Sequence, residues 1–163
     1  MSAQKRKLIL ITGIPGTGKS TYGQEFSRRF GFVHFDLEGQ ELLGQLLSDP
    51  GKFIDGLVDQ TRNIVATWGF LPNEQQIQIV AQFKAKGFNL VWFDGDRPAA
   101  LRAFIKRGTV PEELFYLQMF RIENSKAIQR LKPLLINTFN QKGRFKDSKS
   151  VLREIEKGGI PRQ

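Results

Sequence analysis

Gly13-Ile14-Pro15-Gly16-Thr17-Gly18-Lys19-Ser20, followed directly by Thr21, decides how the rest of the chain is read. The spacing G-x-x-x-x-G-K-[ST] is that of the P-loop, a phosphate-binding turn between a strand and a helix. Both flanks fit. Leu8-Ile9-Leu10-Ile11 is a short run of aliphatic residues, as a parallel strand buried on both faces requires. Tyr22, Phe26 and Phe30 recur at i, i+4 and i+8, one face of an amphipathic helix. Arg28 and Arg29 lie in its last turn and Gly31 just past it, both stop signals. The glycines let backbone N–H groups close around phosphate oxygens, and the helix N-terminus adds partial positive charge. In such a loop Lys19 reaches the β- and γ-phosphates and the Ser20 hydroxyl ligates Mg²⁺. Gly13, Pro15, Gly16, Thr17, Gly18, Lys19, Ser20 and Thr21 are therefore the expected nucleotide phosphate site.

Outward from this loop, strands and helices alternate. Phe32 to Phe35 is expected to form a second strand ending at Asp36, Asn63 to Thr67 a third, Asn89 to Phe93 a fourth and Leu134 to Thr138 a fifth. Helices are expected over Gly39–Leu47 and Phe53–Gln60. A further one opens at a capping box of Asn73 and Gln76. Pro98 opens another, a single long helix runs from Pro111 to about Lys132, and a last one spans Ser150–Lys157 after a basic loop from Asn140 to Lys149. This order predicts an α/β fold, a five-stranded parallel sheet with helices on both faces. In such sheets ligands bind outside the carboxyl ends of the strands. The P-loop, Asp36 and Glu38, Trp68-Gly69, and Asp94 with Asp96 all fall at such ends.

Phosphoryl transfer needs positioning and charge neutralisation, with a carboxylate to take a proton when the acceptor is a hydroxyl. Asp36 is the leading carboxylate, as base or as a partner of Mg²⁺ beside Ser20. Glu38 and the Trp68-Gly69 pair are candidates for acceptor binding. Asp94 and Asp96 have the look of a metal pair, but Asp96 is equally a cap for the helix at Pro98. Arg97, Arg102 and Arg107 cluster in a segment, about 97–111, suited to a lid; Arg102 and Arg107 are the candidates to stabilise transferring charge, with Arg121 a further possibility. His34 reads as a core histidine.

At 163 residues the chain is expected to form one domain over 1–163. It has no cysteine and one histidine, which excludes thiolate metal sites, cysteine nucleophiles and histidine-rich metal sites. No stretch approaches transmembrane length, and a cytoplasmic setting without membrane contact is the expectation. The net charge of +9 lies wholly in residues 97–163, with 15 Lys/Arg against 6 Asp/Glu. Such a basic half suits a phosphate-rich ligand or a nucleic acid, or is a solvated surface.

The chain resembles the P-loop small-molecule and nucleotide kinases, most of all the gluconate kinase and shikimate kinase branch. The P-loop, Asp36-Leu37-Glu38, Ile64 to Gly69, and Arg107-Gly108-Thr109-Val110-Pro111 followed by Glu113-Leu114-Phe115 carry the resemblance. It implies the strand order 2-3-1-4-5 and places the Asn140–Lys149 loop beside adenine. Trp68 stands where the family has a glycine, and Thr109-Val110 where it has histidine and phenylalanine, which argues against gluconate and shikimate as acceptors. The expected activity is an ATP- and Mg²⁺-dependent kinase acting on a small polar acceptor through a hydroxyl or phosphate, as a monomer or homodimer. Two alternatives stay open: a polynucleotide 5′-hydroxyl kinase, and a non-catalytic nucleotide-binding switch.

Overall fold

The computed structural model describes residues 5–108 and 110–158. Thr109 and the tail beyond Gly158 lie outside the described residues. Five strands, β1 (Leu8–Gly13), β2 (Val33–Asp36), β3 (Ile64–Thr67), β4 (Asn89–Asp94) and β5 (Leu134–Asn137), form one sheet in the order β2-β3-β1-β4-β5. Every pairing in it is parallel. This is the α/β architecture and strand order expected.

The alternation of β1 explains why both faces are covered. Leu10 points to one face, Ile9 and Ile11 to the other, and all three are buried. On the Ile9 face lie α1 (Lys19–Phe30) and α8 (Ser148–Gly158), which contribute Tyr22, Phe26, Val151, Leu152 and Ile155. The Leu10 face is covered by α2 (Gln40–Ser48), α3 (Pro50–Val58), α4 (Glu74–Ala85), α5 (Arg97–Arg107), α6 (Glu113–Ser125) and α7 (Ala127–Leu131). Phe26 is fully buried against Phe32, at 5.9 Å between ring centroids, and its truncation to alanine would cost about 3–5 kcal/mol.

Three local expectations change. The long helix from Pro111 is two helices, because Lys126 turns left-handed (φ 56°), closing α6 and opening α7. The helix expected from Phe53 begins at Pro50, where Asp49 Oδ1 accepts from the Lys52 amide at 3.2 Å and Pro50 needs no donor. The capping box is half formed. Asn73 Oδ1 accepts from the Gln76 amide at 2.9 Å, but Gln76 Oε1 accepts from Leu71 N–H at 2.7 Å rather than from Asn73. Gln76 thus fastens the loop after β3, which carries Gly69 and Phe70 to the site.

The register sets the site's level. Ile11 and Asp36 both pair with Thr67, Gly13 with Phe93, and Asp94 with Asn137. The segments after β1, β2, β3 and β4 therefore leave the sheet along one edge.

Candidate active site

A cavity of about 630 Å³ opens at that edge. Its floor is the P-loop. Gly18 is the N-cap of α1 with φ 86°, a left-handed conformation suited to glycine, and it provides no side-chain cap. No acidic residue sits in the first turn of α1, so its leading N–H groups and dipole are left for an anion. Two hydroxyls brace the loop: Thr17 Oγ1 donates to Ile14 O at 2.8 Å, and Thr138 Oγ1 donates to Thr17 O at 3.0 Å.

Lys19 donates from Nζ to Ile14 O at 2.9 Å and to Gly13 O at 3.4 Å. Burial pulls its ammonium down to about 8; Glu38 opposes the shift and Arg107 adds to it. The protonated form is the one that binds phosphate, so its loss weakens nucleotide affinity. The Kd for ATP, followed by calorimetry in buffers from neutral to alkaline, is expected to rise as pH passes through about 8. Lys19→Arg, which does not titrate there, is expected to flatten that profile.

Three hydrogen bonds join Ser20, Asp36, Glu38 and Gly69 into a connected chain beside Lys19. Ser20 Oγ donates to Asp36 Oδ2 at 3.3 Å, and Glu38 N–H donates to Asp36 Oδ1 at 3.1 Å. Gly69 N–H donates to Glu38 Oε1 at 2.8 Å. A Cβ on residue 69 would meet the Glu38 carboxylate and lie 3.5 Å from Lys19 Cε, so a side chain there would push that carboxylate off the Gly69 amide. Among the residues proposed from sequence, Glu38 and Gly69 line the cavity, while Asp36 sits behind Ser20 with both oxygens engaged. Trp68 is 2% exposed and packs on Phe70 at 5.7 Å; Phe70, not Trp68, reaches the cavity.

The arginines separate. Arg107, at the end of α5 before the left-handed Gly108, lines the cavity. Arg102 does not; its guanidinium lies 2.9 Å from where a Cβ on Gly143 would stand, in the loop after β5. Arg97 pairs with Glu123 at 2.9 Å. Asp96 accepts from the Ala99 amide at 3.1 Å and caps α5. His34 Nε2 lies 2.8 Å from Thr67 Oγ1, joining β2 to β3; burial lowers its pKa while Asp36 pulls it up. Among the described residues, no group of three or more His, Cys, Asp or Glu side chains could hold a metal ion. A lone hydroxyl with one carboxylate behind it fits Mg²⁺, which keeps several waters and takes substrate phosphates as ligands.

Sequence reasoning passed over Lys106, Gln118 and Ile122, all of which line the cavity. Leu114, Gln118 and Ile122 stand at i, i+4 and i+8, and that spacing was the available signal.

This sheet and site define the fold of the P-loop kinases. A gluconokinase from Sinorhizobium meliloti superposes with a TM-score of 0.59 at 15% identity, over 94% of this chain and 93% of that one. A shikimate kinase from Acinetobacter baumannii, solved with shikimate, gives a TM-score of 0.61 at 13% identity, over 97% of each chain. At such identities the likeness is one of fold. In sequence, an adenylate kinase of Mesomycoplasma hyopneumoniae is 29% identical over 136 residues, 78% of this chain and 58% of that protein. The chain spans about a quarter to just over half the length of the curated relatives it matches. No protein-family model matches it. No described helix is long and apolar enough to cross a membrane.

Proposed function

We propose that the protein is an ATP- and Mg²⁺-dependent kinase that phosphorylates a small acceptor through its hydroxyl or phosphate group. One observation carries this reading: the P-loop lysine, the Glu38 carboxylate held by Gly69, and Arg107 all face one cavity. A switch that only binds nucleotide has no need of a second, carboxylate-bearing wall beside the γ-phosphate position. The basic loop argues against a strand-binding groove. Of its two flanking aromatics Phe139 is buried, and Phe145, stacked on it at 4.6 Å and 46% exposed, is a single ring rather than a row of platforms for a run of bases.

In this reading Lys19 and the α1 N-terminus hold the triphosphate, and Arg107 meets the charge that spreads over the transferring group. Ser20, oriented by Asp36, would hold Mg²⁺, which supplies charge neutralisation at the β- and γ-phosphates. Glu38 orients the acceptor hydroxyl. The acceptor oxygen bonds to the γ-phosphorus and the bond from that phosphorus to the β,γ-bridging oxygen breaks. The hydroxyl proton passes to Glu38, the carboxylate on the cavity wall, and ADP leaves; Asp36 acts through Ser20.

The test is transfer of label from γ-labelled ATP to a panel of alcohols, sugar acids, nucleoside monophosphates and oligonucleotides. Partner-dependent ATP hydrolysis without transfer to any of them would favour the switch. On an identified acceptor, Asp36→Asn, which loosens the Ser20 hydroxyl, is expected to keep ATP affinity within about tenfold and lower turnover by about 10–100-fold, and Glu38→Gln to lower it by about 10²–10⁴. Glu38→Gln is expected to raise the acceptor KM as well, because its partner is the acceptor. Near-normal turnover in both variants would remove the carboxylates from the chemistry.

A further inference from the structure

The residues around the cavity fall into two chemical sets. The first, Lys19, Ser20, Lys106 and Arg107 with the P-loop, suits a triphosphate. The second is apolar: Phe70, Phe104, Val110, Leu114 and Ile122, with Gln118 among them. Phe70, Phe104 and Ile122 belong to the main core and are 8%, 7% and 8% exposed, so this part of the wall is rigid. Phe104 is backed by Phe115 at 5.6 Å, and Phe70 by Trp68 and Trp92. Val110 and Leu114 are 42% and 38% exposed and form the part of the apolar wall still open to water.

Charge points the same way. The described lining residues carry three cations, Lys19, Lys106 and Arg107, and one carboxylate, Glu38. A triphosphate with its metal brings roughly two net negative charges, so with three cations and one carboxylate the nucleotide-filled lining is about neutral. Glu38, held beside Gly69, repels an anion and accepts from a hydroxyl. A sugar acid or a nucleoside monophosphate would need a further arginine or lysine on the apolar wall, and the described residues place none there.

We propose that the acceptor is an uncharged alcohol with an apolar body, aromatic or branched aliphatic, whose hydroxyl meets Glu38 while its body lies against Phe70, Phe104, Leu114 and Ile122. This rests on the kinase reading and narrows it to a substrate class. Among the described residues of the apolar wall, Gln118 carries the one side-chain amide and suits a carbonyl or second hydroxyl on that body. Each methylene placed well on such a wall is worth roughly 10–200-fold in discrimination.

The experiment uses the full chain with γ-labelled ATP and a fixed set of probes. Phenylpropanol, cyclohexylmethanol and glycerol benzyl ether represent the class; glycerol, gluconate, shikimate, AMP and an oligonucleotide with a free terminal hydroxyl are the competitors. Binding of each, with a non-hydrolysable ATP analogue present, is read by calorimetry beside the transfer assay. The expected result is transfer to the apolar alcohols and binding at least about tenfold tighter than glycerol or gluconate. Leu114→Asp and Val110→Asp, at partly exposed positions, are expected to weaken phenylpropanol at least about tenfold, and Leu114→Met by less than about threefold. ATP affinity, measured in parallel, separates a lost acceptor wall from a misfolded protein. Preference for gluconate, shikimate, AMP or the oligonucleotide overturns the proposal, as does failure of every apolar alcohol to bind. If ATP binds while the apolar alcohols fail, the acceptor class is wrong and the kinase reading stands. If ATP itself does not bind, the kinase reading falls first.

Discussion

Arg107→Ala is expected to slow phosphoryl transfer by about 10³–10⁵-fold, the range found for a charge-stabilising arginine. Arg107 ends α5, lines the cavity, and is close enough to Lys19 for its charge to lower that lysine's pKa. Two cations so placed repel each other until an anion lies between them. The γ-phosphate develops that charge distribution in the transition state, so the loss should fall on kcat more than on ATP affinity. Arg102, against Gly143 in the loop after β5, should behave otherwise: Arg102→Ala is expected to raise the KM for ATP and leave kcat within about tenfold. Arg121, exposed on α6 and not among the residues lining the cavity, serves as the control. Steady-state kinetics on the three variants decides it. Loss below tenfold in Arg107→Ala removes the lid from the chemistry.

Lys19→Ala should cost about 10²–10³ in turnover, the scale of losing one preorganised donor to developing charge. ATP affinity is expected to fall with it. The Lys19 ammonium meets Ile14 and Gly13 carbonyls at the mouth of the P-loop, so removing it leaves those acceptors without their cation as well. Calorimetry with ATP and the transfer assay read both effects. Wild-type binding and turnover in Lys19→Ala would place the nucleotide somewhere other than the P-loop.

Much of the fold was written in local patterns. The apolar run at Leu8, the helix face of Tyr22 and Phe26, and the acids ending later strands each follow from one period or one motif. The strand order did not come from any of these; it came with the resemblance. What local pattern missed has identifiable causes. The break at Lys126 is a left-handed lysine, a conformation no propensity assigns to that residue. Gln76 has the spacing of a capping box on Asn73, but the N–H of Leu71, five residues back in the preceding loop, takes its side chain instead. On the site, Glu38 and Gly69 were legible because each follows a strand. Their hydrogen bond was not, since 31 positions separate them. Arg102 and Arg107 looked equivalent in sequence, yet five positions along a helix turn their side chains to different faces.

Tyr22 carries a consequence for how nucleotides are sorted. Its hydroxyl donates to Lys146 O at 2.6 Å, and Thr138 donates to Thr17 O, so the segment after β5 is tied once to α1 and once to the P-loop. Burial pushes the Tyr22 hydroxyl's pKa upward, which keeps the proton that makes the first tie. The resemblance places that loop beside the base. With the base there, the span from base to phosphate would be set by the protein's own framework, as in a caliper with one fixed jaw. A nucleotide would then either match that gap or lose contact at one end, whatever the arginine-bearing jaw on the other side does.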